Sequence, residues 1–393
     1  MGPSARQIFI KLMNATIDFS FDLNENGLVT RVGSQDGNPP RFIIAVQDHK
    51  VFSDFIQFGN LGLGEAYMHR HFTMIDGKLE DWLEALLRCK IDQRLKKNIF
   101  WLLKVLPFWL KGKWRNRGKN VRTHYDAGID LFRSFLDETL TYSCGYVENP
   151  DDSLEQLQQN KFNRISKKLE LKPGDQFLDI GCGYGGMLIY AAKHFGIHGV
   201  GITNSLSHFE FGNQMIHQNR LEHRIKIQLS DYKWITGKYD KIVSIGMLEH
   251  VPRREYKAYF STIQKLLKDN GRGLVHFVGA NAAENEHDYF IQKYIFPDSN
   301  QPKLSEISNQ LELRGLAIVD VENMIRHYGH TAQFWLDRFK SNRHTLTAYR
   351  DPYLNMFEYY LACCVAAAKA SDSALYQVLF IKNYADPMRL IRV

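Results

Sequence analysis

Three observations predict an open α/β fold with a mostly parallel sheet, preceded by a smaller α+β unit. Helix-like and strand-like segments alternate from about residue 121 onward, the pattern that builds parallel sheets. The buried-type strand QFLDIG (176–181) runs directly into a glycine-rich turn and then a helix. Finally, 393 residues exceed what one ordinary hydrophobic core organises, so two domains are expected.

Residues 1–93 read as the α+β unit. A helix-like start leads into strand-like FDLNENGLVTRVG and PRFIIAV, with turns at NENG and DGNPP. A glycine-rich turn is expected at GNLGLGEAYM, and an amphipathic helix at LEDWLEALLRC. Residues 94–120 form a linker, and 121–393 the larger domain. Its strand candidates are QFLDIG, HGVGITN, RIKIQLSD, YDKIVSIGM and GRGLVHFVG. Between them lie the helix candidates MLIYAAKHF, SHFEFGNQMIHQNRL and REYKAYFSTIQKLL. Neither an internal repeat nor a low-complexity tract interrupts the pattern.

A hydrophobic content of 44% and a charged content of 24% belong to an ordinary globular chain. Cys89, Cys144, Cys182, Cys363 and Cys364 are scattered, make no disulfide framework and offer no CxxC zinc pair. The opening MGPSARQIFIKLMN lacks the apolar run of a signal peptide, and Arg6 replaces the Ser/Thr of a myristoylation signal. A cytoplasmic protein is therefore expected. Within the net charge of +7, residues 94–119 hold nine Lys/Arg, no acid, three Trp and two Phe. Their apolar stretch is only twelve residues, carries Lys104 and is broken by Pro107, too short to span a bilayer. Such a basic, tryptophan-rich segment suits an anionic membrane surface. An interdomain helix packed on both sides is the plainer reading, and nucleic acid a weaker one.

FLDIGCGYGG (177–186) carries Asp179 just ahead of glycines 181, 183, 185 and 186, without the Lys-Ser/Thr of a phosphate-binding P-loop. Glycines there admit a ligand against the backbone at the carboxyl edge of the first parallel strand. GITNSLS, after the second strand, offers no acid for a nicotinamide cofactor's ribose. LSDY places Asp231 after the third, where it could accept from an adenine amine or merely shape a turn. The D-x-G-x-G-x-G pattern resembles motif I of S-adenosylmethionine-dependent methyltransferases.

HYDAGIDLF, TYSCGY, FLDIGCGYGG, SIGMLEHVPRREY, IQKYIFPD and FEYYLACC (within 124–364) together resemble the cyclopropane-fatty-acyl-phospholipid synthase family; GLGEAYMHRHF (62–72) resembles its N-terminal, lipid-binding-like region. The resemblance implies a Rossmann-like class I methyltransferase domain with a mostly parallel seven-stranded sheet. It implies delivery of a methylene group from S-adenosylmethionine to a cis double bond of unsaturated phospholipid acyl chains. The carbocation so formed closes to a ring on losing a proton to a bound bicarbonate ion. Carried over residue by residue, the ion site is Cys144, Glu249, His276, Tyr328 and Cys364. The cofactor contacts are Tyr142, Ser143, Asp179, Gly181, Gly183, Thr203, Asn204, His208, Asp231 and Tyr232. Tyr184 stands where the family often has Trp, and His208 where Gln is common. A homodimer at the inner face of a membrane is a further implication.

Each ion-site residue has a plainer alternative: Glu249 as a loop acid, His276 as a satisfied core histidine, Tyr328 as a packed aromatic, Cys364 as a small buried hydrophobe. Cys363 beside Cys364 leaves the register open; the YYLxxC spacing selects Cys364. Cys144 reads as a bystander shaping a small anion site rather than a nucleophile. Other functional readings are a product with a methyl or methylene branch, an amine acceptor as in plant benzylisoquinoline N-methyltransferases, and a lipid carrier with a degenerate catalytic domain.

Overall fold

The computed structural model describes residues 4–34, 37–91, 128–280, 288–297 and 299–382. The basic aromatic linker expected at 94–120 and the first residues of HYDAGIDLF lie outside them. The chain forms two compact units, one drawn from Met1–Ser134, Glu286–Pro297 and Trp335–Asp372, the other from Phe135–Asn285, Asp298–Phe334 and Ser373–Val393. The N-terminal unit is thus completed by helices from much later in the sequence, where the sequence alone suggests a single cut near residue 93.

In the first unit, β1 (Ser20–Glu25), β2 (Leu28–Gly33), β3 (Phe42–Val46) and β4 (Phe72–Asp76) form a sheet in the order β2-β1-β3-β4. Asn26 and Gly27 take positive φ of 55° and 92° at the β1–β2 turn, the backbone that a two-residue hairpin needs. The helix Leu79–Arg88 buries Leu79, Trp82, Leu83 and Leu86 and keeps Glu80 and Asp81 in its first turn, where they complement the helix dipole.

The segment expected to be a glycine-rich turn is instead the helix Asn60–Met68. Its glycines serve close packing rather than a turn. A Cβ at Gly62 would collide with the Asp54 carbonyl, and one at Gly64 with the rings of Phe290 and Tyr359. Phe290 and Tyr359 belong to the later helices Tyr289–Tyr294 and Asp351–Lys369 of the same unit. Their approach depends on those absent side chains.

The second unit carries a seven-stranded sheet in the order β10-β11-β9-β8-β5-β6-β7. The strands are β5 (Gln176–Ile180), β6 (His198–Thr203), β7 (Ile225–Leu229), β8 (Tyr239–Ile245), β9 (Leu267–Gly279), β10 (Ala317–Asn323) and β11 (Ala374–Ile381). Strands β5 to β9 run parallel, while β11 is antiparallel to both neighbours. Alternation along each strand supplies two cores. Leu178, Ile242 and Phe277 face the helices Tyr256–Leu266 and Leu304–Glu312. Phe177, Val243 and Leu274 face the helices Leu154–Leu169 and Gly186–Phe195. The chain leaves β5 for β6 on one side and returns to β8 on the other. Between β5 and β8 lies the crevice where open α/β sheets bind ligands.

The packing role of Gly64 gives the first test. Gly64→Ala should destabilise the protein by about 1–3 kcal/mol, the usual cost of overpacking, read as a lowered thermal midpoint. A flexible turn would accept alanine with no loss.

Candidate active site

The motif I loop leaves β5 at that crevice. Gly181, Gly183 and Gly185 have φ of 78°, 53° and 86°, a region costly for any residue with a Cβ. The Gly181 and Cys182 amides both donate to the Ile202 carbonyl of β6 at 3.0 Å, which folds the loop over the sheet edge. A Cβ at Gly181 would meet Met247, just after β8, whereas Gly183 faces open space. Asp179 is buried at the end of β5, and its Oδ1 has no hydrogen-bond partner among the described residues. Burial pushes its carboxyl up to about 7, with Lys161 opposing.

Lys161 is fully buried on the helix Leu154–Leu169, and its Nζ donates to Ser143 Oγ at 2.8 Å. Burial pulls its ammonium down to about 7 against the attraction of Asp137, Cys144 and Asp179. The TYSCGY segment is tied down along its length. Gln158 Nε2 donates to the Ser143 carbonyl at 2.9 Å, and the Tyr146 amide to the Leu157 carbonyl at 2.8 Å. Thr331 Oγ1 receives the Gly145 amide at 3.0 Å, and His327 Nδ1 the Val147 amide at 3.1 Å. Tyr142 is half-buried with its ring 5.8 Å from that of Phe135. The Cys144 thiol is buried, donates to the Gly145 carbonyl at 3.0 Å and is pushed up to about 12, chiefly by burial. A thiol in that state is no nucleophile at neutral pH.

Glu249 follows β8 in a single 3₁₀ turn, Leu248–His250. Its Oε1 accepts from the Val278 amide of β9 at 2.6 Å, while Oε2 is buried without a partner among the described residues. Burial pushes the carboxyl up to about 7. Asn300 fixes the turn, donating its amide and side chain to the Glu249 carbonyl at 2.8 and 3.0 Å and reaching the Val251 carbonyl at 2.9 Å. His276 lies on β9, two residues before Val278, and is 2% exposed. Its Nε2 also has no partner among the described residues. Burial, then Lys161 and Lys168, hold the ring down to about 3, so it is neutral across the physiological range. Tyr328 is half-buried on the helix Ile325–Asn342, and its amide bonds to the Met324 carbonyl at 3.0 Å. That carbonyl is also 4.0 Å from the Cys144 thiol.

Glu249 and His276 thus reach one edge of the sheet, and the Cys144 thiol lies 4.0 Å from the Met324 carbonyl, one helical turn before Tyr328. Cys364 belongs to the first unit, on the helix Asp351–Lys369. Its neighbour Cys363 is occupied there by Asn60, in a half-buried group that includes Asp288 and Tyr359.

Thr203, at the end of β6, is buried with its hydroxyl accepting the Ser205 amide at 3.2 Å, and Asn204 beside it is exposed. His208 is half-buried against the Tyr184 ring at 4.5 Å, the two departures from the family pattern packing on each other. Asp231 Oδ1 accepts the Lys233 amide at 2.8 Å, as in a turn. Tyr232 points into the core, with its hydroxyl on Glu255 at 3.1 Å and its ring 5.2 Å from that of Tyr259. Only its backbone remains for a ligand.

Sequence reasoning overlooked Lys161, Lys168, Gln377 and Asn300. Lys161 and Lys168 were legible, because they fall on the stripe 154, 157, 161, 165, 168 that the helix buries. Gln377 and Asn300 leave no such signal; only the paired strands and the folded turn give them partners.

Comparison with known proteins agrees with this fold. The family described as mycolic acid cyclopropane synthetase matches residues 113–378. The cyclopropane-fatty-acyl-phospholipid synthase of Escherichia coli K12 is 34% identical over 374 residues, covering 93% of this chain and 95% of that one. A probable fatty acid methyltransferase of Pseudomonas putida is 32% identical over 280 residues, covering 69% of this chain and 71% of the relative. Among solved structures, a mycolic acid cyclopropane synthase complexed with SAH and CTAB superposes with a TM-score of 0.63 at 27% identity, over 66% of this chain and 96% of that one. With its strand order, its motif I crevice and these relatives, the chain belongs to the mycolic acid cyclopropane synthetase family and is an S-adenosylmethionine-dependent methyltransferase.

Proposed function

We propose that the protein delivers a methylene group from S-adenosylmethionine to the cis double bond of an unsaturated phospholipid acyl chain, forming a cyclopropane ring. The observation that carries this reading is that Glu249 Oε2 and His276 Nε2, like Asp179 Oδ1 of the cofactor loop, are buried without a partner among the described residues at the carboxyl edge of the sheet. Buried polar atoms are almost always satisfied, so such orphans at one edge point to a ligand. The alkene attacks the sulfonium methyl group, the sulfur–methyl bond breaks with S-adenosylhomocysteine leaving, and the resulting cation closes its ring when a proton leaves that new methyl carbon. Bicarbonate, when bound, would supply the base for that proton. A neutral imidazole offers an N–H to such an anion, and a carboxyl poised near neutrality accepts or donates at its hydroxyl. Tyr328 and Cys144 complete the proposed ion site in the second unit, and Cys364 is carried over by the family resemblance alone. Gly181, Gly183, Asp179, Ser143, Tyr142, Thr203, Asn204, His208, Asp231 and the Tyr232 backbone make up the proposed cofactor pocket.

Further parts of the proposal rest on composition and resemblance. Residues 1–93 contribute to a lipid-binding-like unit, the basic 94–120 segment meets an anionic membrane surface, and the chain works as a homodimer at the inner face of the membrane. No helix among the described residues is long and apolar enough to cross a bilayer. A second reading, a methyl-branched product, is favoured by a tuberculostearic acid methyltransferase of Mycobacterium tuberculosis, 28% identical over 90% of this chain and 86% of that one. Loss of a different proton from the same cation gives a branched chain that keeps a double bond.

The deciding experiment incubates the protein with methyl-labelled S-adenosylmethionine and unsaturated phospholipid vesicles, then analyses the released acyl chains by mass spectrometry and NMR. A ring supports the proposal; a branch selects the second reading; unmodified chains overturn both. Glu249→Gln or His276→Ala should reduce turnover by at least about 100-fold, the scale of lost transition-state hydrogen bonds, with S-adenosylmethionine binding retained. Cys144→Ala should cost less. Full activity in Glu249→Gln or His276→Ala would reject the ion site.

The Glu249 carboxyl lies above its ordinary 4.5 at about 7, so its contribution to stability is full below pH 4.5 and is lost as pH rises through 7. Removing the charge with Glu249→Gln should therefore raise the thermal midpoint relative to wild type at pH 8 but not at pH 4.5. The difference should reach about 2–3 kcal/mol, at ~1.4 kcal/mol per pH unit. Parallel curves would contradict the burial argument. Vesicle binding should weaken with salt and with Lys→Glu changes in 111–119; salt-independent binding would reject the electrostatic part.

A further inference from the structure

The helix Leu154–Leu169 carries a second buried cation, Lys168, whose Nζ is 2.7 Å from Glu322 Oε2 and 3.0 Å from Asp320 Oδ2 on β10. Arg164 grips the same Glu322 with two hydrogen bonds of 2.9 and 2.8 Å. Lys168 Nζ also donates to Gln377 Oε1 at 3.0 Å. Gln377 is completely buried on β11 and stands directly opposite His276 in the antiparallel β9–β11 register. Its Nε2 lies 3.2 Å from His276 Nδ1.

The roles of these atoms follow from what each can do. An ammonium only donates, so Gln377 must turn its carbonyl oxygen toward Lys168. Its NH₂ then faces His276, and an NH₂ group also only donates. His276 Nδ1 must therefore accept, and a neutral imidazole that accepts at Nδ1 carries its proton on Nε2. The ring is neutral because it is buried and faces Lys161 and Lys168 on the helix, with Glu322 of β10 the opposing charge. Nε2 is the atom without a partner among the described residues.

We infer that Gln377 and Lys168 are positioning residues that lock His276 in the Nε2–H tautomer, so that the site presents a hydrogen-bond donor to its anion. The inference rests on the proposed ion site for its functional consequence, though not for the tautomer itself. Polar partners behind a site group tune it without touching substrate, and their loss commonly costs about 10–100-fold in activity. In Gln377→Glu, an acceptor would face both Lys168 and Nδ1. That change keeps the volume, moves the ring proton to Nδ1 or makes the ring cationic, and brings His276 into the titratable range. Lys168→Met leaves Gln377 in place but frees its amide to turn over.

The test is long-range ¹H–¹⁵N NMR of the full chain labelled with [¹⁵N]histidine, with the His276 signal assigned by its loss in His276→Ala. Wild type should show a neutral Nε2–H ring at pH 5–8. Gln377→Glu should show an Nδ1-protonated or titrating ring, with kcat reduced about 10–100-fold and KM for S-adenosylmethionine within about threefold. If Gln377→Glu does not fold, Lys168→Met should show a mixture of tautomers and a smaller loss of kcat. An Nδ1–H ring in wild type overturns the inference, as does a folded variant with an unchanged His276 spectrum and kcat. Full activity in His276→Ala would instead overturn the ion site, while the wild-type spectrum would still decide the tautomer.

Discussion

Burying the Glu249 carboxylate with one oxygen on the Val278 amide, and the His276 imidazole with Nδ1 on Gln377, leaves one polar atom of each without a partner among the described residues. Desolvation of that kind costs on the order of 1–3 kcal/mol per group, and a fold tolerates it only where surrounding structure over-determines the geometry. Here it does. Asn300 holds the turn after β8, and the β8–β9 and β9–β11 ladders hold His276 from both sides. The ion-paired Lys168 holds Gln377. Removing any of these supports would let the orphaned atoms relax toward partners of their own.

Lys161 joins the two halves of the second unit's site electrostatically. It contacts Ser143 directly and perturbs Cys144, Asp179 and His276. A fully buried lysine near neutrality is expensive without nearby acids, and Asp137 and Asp179 provide them. The same helix anchors the TYSCGY segment from below, through Gln158 and Lys161, while Thr331 and His327 hold it from the other side. The thiol of Cys144 spends its one proton on a neighbouring carbonyl.

Legibility differed by element. The motif I loop was readable because a chain that curls tightly at a sheet edge needs glycines at that spacing after its buried strand. Asp179, Gly181 and Gly183 lie where the pattern predicts. The helix at 60–68 was misread because glycine signals a turn locally, yet Gly62 and Gly64 answer to Asp54, Phe290 and Tyr359. Tyr232, carried over as a cofactor contact, has its ring turned into the core beside Tyr259.

The sequence by itself determined the alternation of strands and helices, the glycine loop, and the residue types at 144, 249, 276, 328 and 364. Those are local patterns and a family resemblance, both carried by the order of residues. Only the tertiary structure decided that late helices complete the N-terminal unit, that Glu249 and His276 keep an orphaned atom each, and that Lys168 acts through Gln377. Each of these depends on residues roughly 30 to more than 200 positions apart, brought together by sheet register and buried charge. Local periodicity carries no record of either.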